Sequence, residues 1–571
     1  MNTSISRSSI SIRWLRAGAV RRAAIAVLAA LLALLTLGAV RPPAAASAPG
    51  TGAPDLAAVD RYVEAQRRAT RLPGLALGIV HGDRVVHLRG FGQAGPSGRP
   101  VTPQTPFLLA STTKSLTALA VMQLVEPGKV DLDAPVQRYL PWFRLADPVA
   151  SARITVRHLL NQTSGLADPS ESLTKATSGP ADPSGSLTKA DGSDAALEHA
   201  VRALRTVQPT QPAGQAFEYV NMNYVTLGLL IQTVAGQSYE DHMRQHVLVP
   251  LGMTDAYTSP VEARGHGLAT GHRYWFGRPV AYQQPYVRAA VPTGFLSASA
   301  EAMTHHLIAQ LNGGRYQTAR VLSPAGIAEL HRPAVKIADD REISYAMGWY
   351  VEQLNGTSLL WHPGGTPGVH ADILLARQDR WGVVVLANGH NALSPDREGY
   401  IAWGVLGRLV GRQLATPPSI SVNQVLFFVL LGVGVLQVLG IARSVVLLRR
   451  WRARPTRRPR GLLRVTARVV LPLLVGLAWA LVCLVGLPKL GGSLREAAAD
   501  TGWLLVAVLD DLHWADRASL LLTTPDLGWL LVASGTVSLV WGAARAVLAV
   551  STLRRRPVEP ATPAQAKTVS A

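Results

Sequence analysis

The residues with the clearest chemical potential are a serine and a lysine three positions apart, Ser111 and Lys114. The residues before Ser111 are apolar and extended in character. Those from Leu116 to Val125 repeat apolar positions at steps of three and four, which predicts a helix. Ser111 is therefore expected at or near a helix N-terminus, where unpaired backbone N–H groups favour developing negative charge. Lys114 lies about one turn later on the same face, and a desolvated lysine can take the proton of a nearby hydroxyl.

The structural alternative for this pair is a plain N-cap serine with an exposed lysine. Two further Ser-x-x-Lys sequences, 172–175 and 186–189, lie in a duplicated segment, 167–190, whose composition is typical of a surface loop. Only the Ser111 copy has strand-like residues before it and an amphipathic helix after it. We therefore assign the nucleophile to Ser111 and interpret the duplication as a surface expansion, which would tune access to a pocket that it overhangs.

Two other short motifs carry polar side chains that suit the same reaction. Tyr219 and Asn221 are two residues apart, so their side chains point the same way in an extended segment. A phenol and a carboxamide that face one pocket suit proton relay and substrate hydrogen bonding, although two packed loop residues could share this spacing. The third motif, His362-Pro-Gly364, lies between two segments with strand composition.

Together, these three motifs resemble the active-site motifs of serine β-lactamases and penicillin-binding proteins. The resemblance is closest to the class C β-lactamase-like serine hydrolases, which include D,D-peptidases and esterases, and it covers about residues 53–415. It implies an α+β fold in which an antiparallel sheet is flanked by helices and accompanied by an all-helical domain. It implies no cofactor.

The resemblance also implies a role for each motif residue. Ser111 would attack a carbonyl, Lys114 would take its proton, and Tyr219 would share the proton relay. The implied substrate-binding residues are Asn221, His362, Gly364 and Gly365. The backbone N–H groups of Ser111 and Gly365 would form an oxyanion hole. Pro363 stands where the family often has Gly or Thr, so the resemblance implies no side-chain or N–H contact from that position.

A histidine in the third motif has consequences of its own. His362 would hold or polarise a substrate carboxylate or the Tyr219 hydroxyl. Because histidine titrates near neutral pH and lysine does not, we expect activity to depend on pH between about 6 and 8, and His362→Lys to flatten that dependence. His305, His306 and His370 are interpreted as ordinary helix or strand residues, because no third metal ligand occurs at useful spacing.

The net charge of +20 does not indicate nucleic-acid binding, because the arginines crowd one segment, 443–460, between apolar runs. That pattern is typical of a cytoplasmic loop of a membrane protein. Cys483 is the single cysteine, which excludes an intrachain disulfide and a thiolate metal cluster.

The apolar runs predict a membrane protein with its catalytic domain outside the cytoplasm. Residues 1–48 have the basic, apolar and small-residue order of a signal peptide, or of an N-terminal anchor if it is retained. Three runs in the region 416–571 are each long enough for a transmembrane helix: about 422–441, 469–487 and 527–550. If residues 49–415 lie outside, all the basic flanks of these runs fall on the cytoplasmic side.

Periodicity and turn residues predict the elements that must position the motifs. We expect helices over 51–71, from Ser111 to Glu126, and over 225–234, 301–312, 323–331 and 398–414. We expect a hairpin over 75–91 and strands over 358–361, 369–376 and 381–386.

The resulting hypothesis is a multi-pass, membrane-anchored serine hydrolase that forms an acyl-enzyme on an amide or an ester outside the cytoplasm. A β-lactam, a D-alanyl peptide, an ester or a small amide would all be compatible with the motifs. The alternative from another class is a non-catalytic protein that senses cell-wall peptides and signals through its three helices. The tail could also bind a partner in the bilayer, whereas its low intramembrane charge argues against a transporter.

Overall fold

The computed structural model describes residues 54–166, 192–275, 277–337, 342–390, 398–414, 422–452, 474 and 525–554. The chain divides into two compact units, of which the first contains the serine and lysine motif and the second contains two long helices near the C-terminus. The duplication at 167–190, the segment 1–48 and nearly all of the run at 469–487 lie outside the described residues.

The described α-helices, numbered α1 to α13 along the chain, are Leu56–Thr70, Thr113–Val125, Pro148–Arg153, Val156–Leu160, Ala196–Ala203, Asn221–Ala235, Tyr239–Met243, Pro260–Gly265, Ala300–Leu311, Pro324–Leu330, Tyr400–Val410, Val422–Arg452 and Pro525–Arg554. The strands β1 to β15 are Gly74–His81, Arg84–Gly92, Phe107–Leu108, Ala256–Tyr257, Gly271–Trp275, Arg278–Tyr282, Ser297–Ala298, Arg315–Tyr316, Ala319–Arg320, Val335–Lys336, Ile343–Ala346, Trp349–Leu354, Thr357–Thr366, Val369–Ala376 and Trp381–Ala387.

An antiparallel sheet of eight strands forms the centre of the first unit, in the order β10-β11-β12-β13-β14-β15-β1-β2. The predicted hairpin is confirmed as β1 and β2, and β1 also pairs with β15 from far along the chain. The N-terminal hairpin therefore completes a sheet that is built mainly from C-terminal strands.

Both faces of this sheet are covered, and successive residues of β14 enter different cores. Ile373 and Leu375 join the core that contains α2 and α9, whereas Leu374 and Ala376 join the core that contains α1 and α11. All of β14 is buried, as expected for a strand with packed layers on both faces. This arrangement confirms the predicted α+β class.

Helix α2, which follows Ser111, is more deeply buried than the sequence predicts. An amphipathic helix is expected there, but every residue from Thr113 to Leu124 except Gln123 is buried. Two of its small polar side chains bond within the fold: Ser115 donates to Thr112 O at 2.8 Å and Thr117 donates to Pro292 O at 2.7 Å. Because these threonines and serines are polar, the sequence has an amphipathic pattern, although the helix packs on all sides.

In the second unit, α12 and α13 cover two of the predicted membrane runs, and Gln437 of α12 donates hydrogen bonds to Ser534 and Ser538 of α13. No helix within the described part of the chain meets the length and apolarity required for a membrane span.

Candidate active site

Ser111 lies in a single 3-10 turn, Ala110–Thr112, immediately before α2. Thr112 is the residue that precedes the helix, and its hydroxyl donates to Leu109 O at 2.8 Å. Ser111 makes no N-cap bond to the helix in the described structure, so the plain N-cap alternative is wrong. Ala110 has φ of 47°, a left-handed conformation that costs a non-glycine residue about 1–3 kcal/mol and that is concentrated at functional sites.

Lys114 is fully buried and its amine is surrounded by three neutral oxygen atoms. Nζ lies 3.1 Å from Ser111 Oγ, 2.8 Å from Asn221 Oδ1 and 3.0 Å from the carbonyl oxygen of Thr293. The amide and backbone oxygens can only accept hydrogen bonds, so they take two of the amine's N–H groups. The third position of the amine faces the Ser111 hydroxyl, which is the geometry that proton transfer from serine requires.

The two side chains of the second motif lie against the same lysine. Val220 is extended, with φ of −133° and ψ of 120°, and Asn221 is the first residue of α6. Asn221 bonds Lys114, and the ring centroid of Tyr219 lies 4.8 Å from Lys114 Nζ. Two side chains more than a hundred residues from the nucleophile are thereby brought to it.

The third motif lies inside a strand, whereas the sequence predicts a break there. Strand β13 runs through His362, Pro363 and Gly364 to Thr366, and it stays paired with β14 over the whole motif. His362 is buried, and its ring centroid lies 6.2 Å from that of Tyr219. The motif residue therefore lies beside the lysine and tyrosine, on a rigid element.

The protonation of His362 differs from the expectation. Its Nδ1 lies 2.7 Å from the Pro363 carbonyl oxygen, which can only accept, so Nδ1 carries the proton. Nε2 lies 3.3 Å from the Tyr345 hydroxyl and accepts from it. Burial, together with the nearby charge of Lys114, lowers the pKa of His362 to about 3, although the bond to Pro363 opposes this. The predicted titration of His362 between pH 6 and 8 is therefore wrong.

Gly364 lets the nucleophile approach the strand. A Cβ at this position would lie 2.6 Å from Leu109 O and 3.0 Å from the backbone nitrogen of Ser111, which is too close for a side chain. Glycine is therefore required by contact with the Ser111 turn.

The orientation of Gly365 follows from the proline two residues before it. Proline in a sheet is accommodated where its nitrogen faces away from the neighbouring strand, and residues two apart in a strand share an orientation. The Gly365 N–H is therefore directed away from β14, on the side of β13 where pairing with β12 ends at Trp361. An N–H at that edge, next to the residue that contacts Ser111 N, is compatible with the implied oxyanion hole.

Two residues at the site are missing from the sequence analysis. Thr293 lies in a π-turn, Val291–Phe295, where its carbonyl accepts from Lys114 and its hydroxyl donates to Asn221 Oδ1 at 2.6 Å. Tyr345, on β11, bonds His362. The Pro292-Thr293-Gly294 sequence signals a turn, but no periodicity or spacing connects either residue to the three motifs.

A second cluster of buried histidines lies on the opposite face of the same strands. His370 Nε2 is 2.7 Å from the Asp372 carboxylate, His390 Nδ1 is 3.2 Å from the Glu398 carboxylate, and the two histidine rings stack at 5.3 Å. A Cβ on Gly365 would lie 3.0 Å from His390 Nε2. The cluster therefore packs against β13 on the face opposite His362. Among the residues of the described ranges, no group of three or more His, Cys, Asp or Glu side chains could hold a metal ion.

The sequence is similar to those of several known proteins. The chain is similar to Protein flp of Staphylococcus aureus (strain N315), with 27% identity over 59% of this chain and 64% of that protein. It is also similar to Unguisins hydrolase ungD' of Aspergillus campestris (strain IBT 28561), with 26% identity over 56% of this chain and 58% of that protein. The match thus spans less than two thirds of the length of these relatives.

Solved structures share the fold. The octameric penicillin-binding protein homologue from Pyrococcus abyssi matches with a TM-score of 0.54 and 26% identity, over 63% of this chain and 78% of that one. EstCE1, a hydrolase with promiscuous acyltransferase activity, matches in fold with a TM-score of 0.50 and 21% identity, over 62% of this chain and 98% of that one. The model of the Beta-lactamase family matches residues 59–406, more than half of the sequence, and the chain therefore belongs to the Beta-lactamase family.

Proposed function

We propose that this protein is a membrane-anchored serine hydrolase that acts outside the cytoplasm on an amide or an ester. The observation that carries the proposal is the contact of 3.1 Å between Lys114 Nζ and Ser111 Oγ, inside a fully buried environment. A lysine on a solvated helix face would need no such contact. Members of this family are typically serine hydrolases, and the Aspergillus relative is named a hydrolase.

The reaction would proceed through an acyl-enzyme. Ser111 Oγ attacks the carbonyl carbon and Lys114 Nζ accepts the hydroxyl proton, while Asn221 and Thr293 hold the amine in place. The N–H groups of Ser111 and Gly365 stabilise the oxyanion. As the bond to the leaving group breaks, the proton held by Lys114 passes by way of Tyr219 to that group, which returns the amine and the phenol to their starting states. Water then attacks the acyl carbon and releases the acid, which restores the Ser111 hydroxyl.

Rapid-quench mass spectrometry tests this mechanism. The purified full-length chain is mixed with a p-nitrophenyl ester, quenched in acid and digested. We expect an acyl group on the peptide that contains Ser111, and none in Ser111→Ala. Steady hydrolysis in both proteins, with no acylated peptide in either, would contradict the proposal.

The non-catalytic sensor remains the alternative function. A binding pocket has no need for a buried amine directed at a strained serine turn, so the contact between Lys114 and Ser111 favours hydrolysis. Peptide binding that survives Ser111→Ala, in a protein that no acylating probe labels, would favour the sensor.

The membrane location is supported by charge and apolarity. Arginines separate the apolar runs, and apolar side chains such as Val438 and Val547 are exposed on α12 and α13. We expect the chain to sediment with membranes after a carbonate wash, and an external protease to cut the catalytic unit in spheroplasts. Release of the chain into the soluble fraction would contradict the location but would leave the hydrolase proposal intact.

A further inference from the structure

The resemblance implies that the third motif binds a substrate carboxylate, and the structure has a buried imidazole, that of His362, at this position. His362 lies on the same face of β13 as Gly364, which contacts the Ser111 turn, because residues two apart in a strand share a face. Whatever binds beside Ser111 at this position therefore meets the surroundings of His362. The following inference rests on the proposed hydrolase function and concerns its substrate class.

Protein partners occupy both nitrogen atoms of His362. Nδ1–H donates to the Pro363 carbonyl oxygen, and Nε2 accepts from the Tyr345 hydroxyl. Both nitrogen atoms are thus engaged within the protein, so the ring has no spare donor for a ligand, and its burial beside Lys114 disfavours the charged form.

The groups that face His362 maintain this state. Aromatic rings surround it: Tyr350 at 5.3 Å, Tyr345 at 6.1 Å and Tyr219 at 6.2 Å between centroids. The charged neighbour is Lys114, whose influence opposes protonation of the imidazole. In contrast, His370 and His390 on the opposite face each have a carboxylate partner.

Pro363 also lacks groups that could bind a substrate carboxylate. It supplies neither an N–H nor a hydroxyl at the position between His362 and Gly364. A carboxylate brought into a buried site loses its hydration, and this loss is offset only when charged or multiple hydrogen-bond donors replace the water. The strand that lines the site here supplies an imidazole acceptor and a proline ring instead.

We propose that the enzyme selects acyl substrates whose leaving group carries no carboxylate near the scissile bond, which favours neutral esters and amides over β-lactams and over peptides with a terminal D-alanine. The wall of side chains formed by His362, Pro363 and the neighbouring tyrosines makes this selection. The chemistry at Ser111 is unchanged by it.

A matched pair of esters tests the effect of a carboxylate charge on the leaving group. The acetate esters of 3-hydroxybenzoic acid and of its methyl ester differ in one ionised group and have similar phenolic leaving groups. In hydrolysis, Ser111 Oγ bonds the acetyl carbon, the phenol leaves with a proton, and water releases acetate. We expect kcat/KM of the full-length chain to be at least about tenfold higher for the neutral ester.

Two substitutions of His362 test whether this wall causes the preference for the neutral ester. In His362→Lys a cation enters the site, and we expect the ratio between the two esters to narrow at least about fivefold. In His362→Gln the side chain stays neutral, and the ratio should remain within about twofold of the wild-type ratio. The Gln variant also reports whether the site tolerates a change of shape at this position.

The outcomes separate this inference from the function on which it rests. Equal hydrolysis of the two esters, or faster hydrolysis of the carboxylate ester by a Ser111-dependent activity, would overturn the selectivity and leave the hydrolase standing. An unchanged ratio in a folded His362→Lys protein would overturn the role of the wall. Hydrolysis that persists in Ser111→Ala would overturn both the function and the selectivity.

Discussion

The two faces of strands β13 and β14 carry buried histidines in different electrostatic surroundings. On the face near Ser111, His362 bonds a carbonyl and a tyrosine hydroxyl. On the other face, His370 and His390 bond carboxylates. Burial lowers the pKa of His390 as well, but Glu398 opposes that shift, whereas Lys114 adds to the shift of His362.

The recorded contacts of Lys114 differ from those of the histidines on the opposite face in the same way. The amine of Lys114 contacts neutral oxygens of Ser111, Asn221 and Thr293. A carboxylate in place of one of them would stabilise the ammonium form, as the carboxylates on the opposite face favour protonated imidazoles. Carboxylate partners thus lie on the opposite face, whereas neutral oxygen atoms contact the amine of the proposed base.

Replacement of Lys114 should have the largest effect. We expect Lys114→Met, which keeps the length and apolarity of the stem, to lower kcat by about 10³-fold or more, because the serine loses its proton acceptor. His390→Gln, on the opposite face, should retain kcat within about tenfold while lowering the melting temperature. Ester hydrolysis and thermal unfolding measure both quantities. A Lys114→Met enzyme that works at nearly wild-type rate would show that the base is elsewhere.

Two adjacent glycines provide the next comparison. The Cβ of Gly364→Ala would collide with the backbone of Leu109 and Ser111, so the nucleophile must move. We expect a loss of about 10²-fold in kcat/KM. The Cβ of Gly365→Ala would meet the ring of His390, a side chain that can shift, and the loss should be smaller. Similar losses in the two variants would mean that contact with the Ser111 turn does not explain the first glycine.

Removal of the Thr293 hydroxyl should lower kcat by a smaller factor. It donates to the same Asn221 oxygen that Lys114 bonds, and so it fixes which end of the amide faces the lysine. We expect Thr293→Val to lower kcat by about tenfold through loss of this bond, and Thr293→Ser to restore most of the activity. Steady-state kinetics of the two variants would measure this. If serine behaved like valine, packing of the threonine methyl group would be the better explanation.

The buried histidines predict acid sensitivity of the whole fold. Burial lowers the pKa of His306 and of His331 to about 3, as it does for His362, whereas an unfolded histidine has a pKa near 6.5. Between about pH 6.5 and 3 the unfolded chain therefore binds more protons than the folded one. Each group should then lower the free energy of unfolding by about 1.4 kcal/mol for each pH unit of acidification.

Urea unfolding between pH 7.5 and 5 measures this slope. The matched variant is His331→Gln, which should reduce the slope by the contribution of one histidine. A free energy of unfolding that does not change over this range would show that these histidines take up protons in the folded protein as they do in the unfolded chain.

Local patterns predicted the scaffold of the site well. The hairpin of β1 and β2, the end of α2 at Val125 and the strands β14 and β15 follow from period and turn residues. The motif at His362 was predicted between strands because Pro and Gly usually end them. In the structure, β13 continues, since its edge at that point has no neighbour that needs the missing N–H.

Local sequence patterns could not predict that these distant residues meet in one site. Lys114 and Asn221 are 107 residues apart, and only the resemblance to a known family placed them together before the structure did. Thr293 contributes through its backbone carbonyl and a hydroxyl in an irregular turn, which no composition signal marks. The neutral state of His362 depends on burial and on the position of Lys114, and both are properties of the assembled fold.

The most direct test of the account is the intact mass of the full-length chain after reaction with a fluorophosphonate probe, beside Ser111→Ala. We expect one adduct on the wild-type protein and none on the variant, because Lys114 activates the hydroxyl at position 111. A folded wild-type protein that stays unlabelled, or a Ser111→Ala variant that is labelled equally, would contradict an activated nucleophile at this turn.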